Sequence, residues 1–89
     1  MTRYVPSDMT ETNRTRFLDW IRAHDEDPNT IMADHFRVHN GRMSGRKFIL
    51  SETGERLLWG DELATVPFTR LVAHPLPEFD DPKTGIYSV

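Results

Sequence analysis

The sequence contains no cysteine, only two lysines, and no uninterrupted apolar run longer than three residues. Without cysteine there is no disulfide framework, no thiolate zinc site and no cysteine nucleophile. A membrane helix needs about 20 apolar residues and a signal peptide an apolar stretch of about 7–15, so neither is expected and a cytoplasmic protein is. A Gly-rich phosphate loop and a Gly-x-Ser-x-Gly elbow are also missing, and no carboxylate–histidine spacing sets up an acid–base pair. With 89 residues the chain makes one thin-cored domain, too small for a deep pocket. A non-enzymatic protein with no cofactor is the expectation.

The formal charge of −3 conceals a segregation. Residues 1–30 carry four basic and six acidic groups, residues 31–60 five and three, and residues 61–89 two and five. Between Asp34 and Glu52 there is no acid, while Arg37, Arg42, Arg46 and Lys47 all fall there with His35 and His39 beside them. A basic window of this density is a footprint for phosphate contact, although a solvated basic loop has the same composition. Arginine outnumbers lysine nine to two, which suits bidentate contacts to nucleic acid and to protein alike.

Local patterning places a loose lead-in over 1–8, a globular domain over 9–74 and a Pro-containing acidic tail over 75–89. A first helix starts after Asp8 or Thr10, with Asp8 and Glu11 at capping-box spacing. Phe17, Leu18, Trp20, Ile21 and His24 form its apolar face, and it ends near His24. Asp27-Pro28 resembles a second helix start, Ile31, Met32, His35, Phe36 and His39 share one helical face, and Asn40-Gly41 supplies a left-handed stop.

From residue 42 two readings stay open. Met43, Lys47 and Leu50 fit one face of a third helix. Alternatively, Arg46–Leu50 and Glu55–Trp59 flank Glu52-Thr53-Gly54 as a hairpin. Thr65–Ala73 reads as a strand, and Pro67 assigns it to a sheet edge.

The stretch Phe17-Leu18-Asp19-Trp20-Ile21-Arg22-Ala23-His24 followed by Ile31-Met32-Ala33-Asp34-His35-Phe36-Arg37-Val38 resembles the first two helices of a winged helix-turn-helix bacterial repressor. Met32-Ala33, Phe36 and Val38 fill that family's apolar-Ala, apolar and Val/Ile places in register. Arg37 stands where the family usually has glycine, and His39 where it often has Ser or Thr. The resemblance spans about residues 14–43. It implies an α+β fold in which N-terminal helices, helix-turn-helix-like, precede an antiparallel hairpin or small sheet acting as the wing.

It further implies that Asn40–Leu50 is a recognition element in the major groove. Arg42 and Arg46 would contact guanine or phosphate, Lys47 a phosphate, Ser44 and Asn40 base edges or backbone, and Arg56 a phosphate from the wing. Arg37 and His39 complete the candidate DNA-binding set. If 42–54 is a hairpin instead, a basic β-ribbon offers another way into a groove.

The function expected is sequence-specific binding of double-stranded DNA, as a transcriptional regulator or recombination accessory factor, with a phage or mobile-element origin in keeping with the compact chain. So small a domain needs dimerisation or neighbouring protomers for tight binding. The competing expectation is an adaptor or inhibitor that docks on another protein through the acidic segments Asp61-Glu62 and Glu78–Asp81. His35 and His39, four residues apart, lack a third ligand, so no metal is expected.

Overall fold

In the computed structural model, which describes residues 1–80 and 84–88, the chain runs β1 (Thr2–Tyr4), α1 (Glu11–Ala23), β2 (Arg37–His39), β3 (Arg42–Phe48), β4 (Leu58–Trp59), β5 (Glu62–Leu63), β6 (Thr65–Leu71) and β7 (Ile86–Ser88). Short 3-10 turns occupy Pro6–Asp8, Pro28–Thr30 and Ala33–His35. Over the described residues, β6-β3-β2-β1-β7 form one antiparallel sheet, and β4-β5 form a separate two-stranded arm. The chain is therefore α+β.

Helix α1 follows its local signals. Thr10, rather than Asp8, is the cap, its side chain accepting the Asn13 amide at 3.2 Å. Asp8 lies in the preceding 3-10 turn and accepts the Tyr87 hydroxyl instead. The helix lays Phe17, Trp20 and Ile21 on one face of the sheet, against Tyr4, Met9, Phe36 and Met43. Phe17 stacks on Tyr4 at 5.3 Å and meets Phe36 edge-on at 5.3 Å, a geometry that adds to simple area burial.

The expected second helix is absent, and with it the helix-turn-helix pair. Asp27 does cap, but it caps the 3-10 turn Pro28–Thr30, accepting the Asn29 amide at 2.9 Å. Beyond it the chain lies beside β3: Ile31 bridges Lys47, and the Met32 amide donates to Arg46 O at 2.8 Å. The Phe36 carbonyl accepts the Tyr4 amide at 3.1 Å. The backbone groups that a helix would satisfy internally are satisfied by neighbouring strands, so tertiary pairing overrides a helical apolar spacing.

The third-helix reading fails for the same reason, since 42–48 is the strand β3, in full register with β6 from Arg42↔Leu71 to Phe48↔Thr65. Asn40 (φ 50) and Gly41 (φ 73) are both left-handed, as expected, but they close the two-residue β2–β3 hairpin instead of ending a helix. The turn expected at Glu52-Thr53-Gly54 is present, with Leu50 bridging Arg56. Pro67 sits on β6, at the sheet edge.

After β6 the chain runs along α1. The Ala73 and His74 amides donate to His24 Nε2 at 2.9 and 3.2 Å, Trp20 Nε1 donates to His74 O at 3.0 Å, and Arg16 reaches Glu78 O at 2.9 Å. The buried Asn13 amide clasps the backbone of Asp80 from both sides. Part of the segment expected as a tail then enters the sheet as β7, pairing with β1, while residues 81–83 and 89 lie outside the described residues. No helix among the described residues is long and apolar enough to cross a membrane.

Candidate nucleic-acid interface

Strand alternation divides the sheet into two faces. Met43, Val38, Tyr4 and Phe68 point to the helix side and join or border the core. The other face carries Arg3 from β1, Arg37 and His39 from β2, Arg42, Ser44, Arg46 and Phe48 from β3, Thr65, Pro67, Thr69 and Leu71 from β6, and Tyr87 from β7. None of these side chains is buried, so the face is open. Among the described residues, its strand positions include no carboxylate.

The register lines these residues up. Tyr87, Arg3, Arg37, Ser44 and Thr69 are successive partners, forming one row of hydrogen-bond donors across all five strands. At strand spacings of about 4.8 Å the row is roughly 19 Å long. Beside it, His39 pairs with Arg42. One directly opposed like-charge pair, Arg3–Arg37, thus occupies the open face, with the His39 imidazole opposite Arg42 beside it. Like charges in that relationship destabilise a sheet.

Five of the eight residues expected at a DNA-binding site meet on this surface: Arg37, His39, Arg42, Ser44 and Arg46. Asn40 lies at the hairpin tip, its amide 3.1 Å from His39 Nε2. Arg56 reaches only the Phe48 end of the face, stacked over that ring at 4.0 Å and donating to Asn29 O at 3.0 Å. Lys47 faces the helix side, over the Phe68 ring at 4.9 Å, and pairs with Glu26, which Arg70 also binds. Burial pushes the Glu26 carboxyl up, but the hydrogen bonds and charges of Lys47 and Arg70 outweigh it and hold Glu26 below the usual carboxylate range.

Sequence reasoning missed Arg3, Thr69 and Tyr87, which lie outside the basic window and join it only through strand pairing. Arg3 lies over the Tyr87 ring at 5.4 Å, and Tyr87 OH donates to Asp8 at 2.8 Å. That hydrogen bond is the main reason the Tyr87 phenol is pushed above its ordinary range.

The two ends of the face differ. Arg46 donates through Nε to Thr65 Oγ1 at 2.7 Å and through Nη2 to Thr65 O at 3.2 Å. It lines a cavity of about 530 Å³ together with Met32, His35, Leu63, Thr65 and the carboxylates Asp61 and Glu62. Ion pairs among the described residues involve Arg16, Arg22, Lys47 and Arg70 but none of Arg3, Arg37, Arg42 and Arg46. The most anion-ready part of the face is therefore the Arg3–Arg37–Arg42 region. His35 lies in a 3-10 turn and His39 on a strand, so the helical i, i+4 pairing considered for them does not form, and no cluster of three metal-ligating side chains occurs among the described residues.

Comparison with protein-family models, curated proteins and solved structures returned no match.

Proposed function

We propose that this chain is a non-enzymatic DNA-binding protein, a regulator or accessory factor, whose contact surface is the open face of the sheet. One observation carries the reading: Arg3 and Arg37 stand directly opposite each other, with Arg42 on the same open face, and that face bears no carboxylate at its strand positions. Such an arrangement costs stability in isolation and is repaid when phosphates lie over it. A helix in the groove is not the mode. The sheet is roughly 19 Å across, wider than a major groove of about 12 Å, so the face follows phosphates across the groove. His39 and Asn40, at the hairpin end, are the side chains nearest to a base-reading role, and Arg42 beside them is a phosphate contact.

The test is fluorescence anisotropy with duplex and single-stranded forms of one sequence at several salt concentrations, using wild type and the double variant Arg37→Ala/Arg42→Ala. A DNA-binding role predicts a steep salt dependence, shallower in the variant by about two phosphate contacts at a slope of about −0.9 each. Absence of binding to either form at low salt overturns the reading.

A second reading, an adaptor or inhibitor of another protein, is favoured by the β4–β5 arm. Leu58 and Trp59 are 60% and 62% exposed there, next to Asp61 and Glu62. Stoichiometric capture of one protein by wild type but not by Trp59→Ala supports it.

A further inference from the structure

The geometry points to a discrete oxyanion site formed by Arg3 and Arg37 and oriented by Tyr87, which takes a phosphate group, either a backbone phosphodiester or free phosphate. The inference deepens the DNA-binding reading by naming its anchor, and its test is separable from it.

Three features converge on this spot. Arg3 and Arg37 are direct partners in the β1–β2 ladder, which roots two arginine side chains side by side on the open face. Arg3 Nε is buried and has no hydrogen-bond partner among the described residues. A buried donor left in that state is costly unless something accepts from it. Arg37 uses Nη1 on His35 O at 3.3 Å and keeps its other donors.

The surroundings suit an anion. The Tyr87 ring, 5.4 Å from the Arg3 guanidinium and tied to Asp8 through its hydroxyl, limits the orientations open to Arg3. Asp8, the carboxylate at this edge, is already engaged by that hydroxyl. On the other flank the register brings the Ser44 and Thr69 hydroxyls into the same row. Two planar forks rooted at neighbouring positions suit the oxygens of a phosphate, which accepts several donors at once.

The experiment is thermal unfolding in sodium phosphate against sodium chloride of equal ionic strength, with wild type, Arg3→Met, Arg37→Met and Arg42→Met. Wild type should gain roughly 4–8 °C in Tm at about five times the Kd for phosphate. Arg3→Met and Arg37→Met should lose that gain while melting higher than wild type in chloride, because the like-charge pair is gone and, in Arg3→Met, the unpaired donor with it. Arg42→Met should keep the gain. Arg3→Lys serves if Arg3→Met fails to fold; it keeps the charge without the fork and should lose most of the response.

A phosphate gain no larger than in chloride, or one that survives in Arg3→Met and Arg37→Met, overturns the site. Anisotropy with an oligonucleotide separates the sources. Loss of both DNA affinity and the phosphate response in Arg3→Met supports a phosphodiester ligand. Loss of the phosphate response in a chain that binds no DNA supports a free-phosphate site and overturns only the DNA reading. Undiminished DNA affinity in variants that have lost the phosphate response supports a free-phosphate site and leaves the DNA reading standing.

Discussion

Arg3 and Arg37 stand directly opposite each other in adjacent strands, on a face where neither has a carboxylate partner among the described residues. Sheets gain from opposite charges at such positions and lose from like ones. The mutual repulsion of the two side chains therefore opposes the fold that holds them. The helix side is built differently: there Lys47 and Arg70 share Glu26, and basic side chains have an internal counter-charge.

A double-mutant cycle on this pair should reveal its repulsion. Arg3→Met and Arg37→Met, singly and together, are compared by urea unfolding without phosphate. The expected coupling is about 0.2–1 kcal/mol with the sign of repulsion. A favourable coupling contradicts the account.

Glu26 predicts the acid limb of the stability profile. Its folded carboxyl titrates below the ordinary 4.5, so its contribution is complete above that value and is lost as pH falls through the depressed folded one. Between pH 7 and pH 3, wild type should lose stability by a margin that Glu26→Gln does not share. Denaturant midpoints across that range decide it, and parallel losses in both proteins would remove Glu26 from the explanation.

Asn13 holds the segment after β6 to the helix. Its amide group both accepts from the Asp80 N–H, at 2.9 Å, and donates to the Asp80 carbonyl. Asn13→Leu leaves those backbone groups without their partner, at a cost of about 1–3 kcal/mol. Hydrogen exchange should then accelerate at the Asp80 amide well before the β3–β6 ladder is affected.

Gly85 marks the entry to β7. Its φ is 82°, and a Cβ there would lie 2.5 Å from Met9 Cγ and 2.9 Å from Val5 O. Gly85→Ala is therefore both strained and overpacked, and a loss of about 1–3 kcal/mol is expected as a lower Tm. Because β7 carries Tyr87, the same change should weaken the phosphate response at Arg3.

Local chemistry made some of this legible. The spacing of Phe17, Trp20 and Ile21 specifies α1 without outside help, although its cap is Thr10 and not the Asp8 of the capping-box spacing, and Pro67 marks an edge strand because it has no N–H for a ladder. The left-handed preference of Asn40-Gly41 was equally readable, but a helix stop and a hairpin turn make the same demand on φ.

What the sequence by itself determined was one helix, the places where the chain turns, and a basic window free of acids. Only the tertiary structure decided that residues 31–39 lie beside β3 as 3-10 turn and strand, because the hydrogen-bond partners that choose between helix and ladder come from distant segments. It also decided which basic side chains share a face. Alternation turned Lys47 inward to Glu26 and left Arg46 on the open side, while strand pairing brought Arg3 and Tyr87, from opposite ends of the chain, beside Arg37. Charge along a sequence has one dimension; the register of a sheet supplies the second, and an anion meets both.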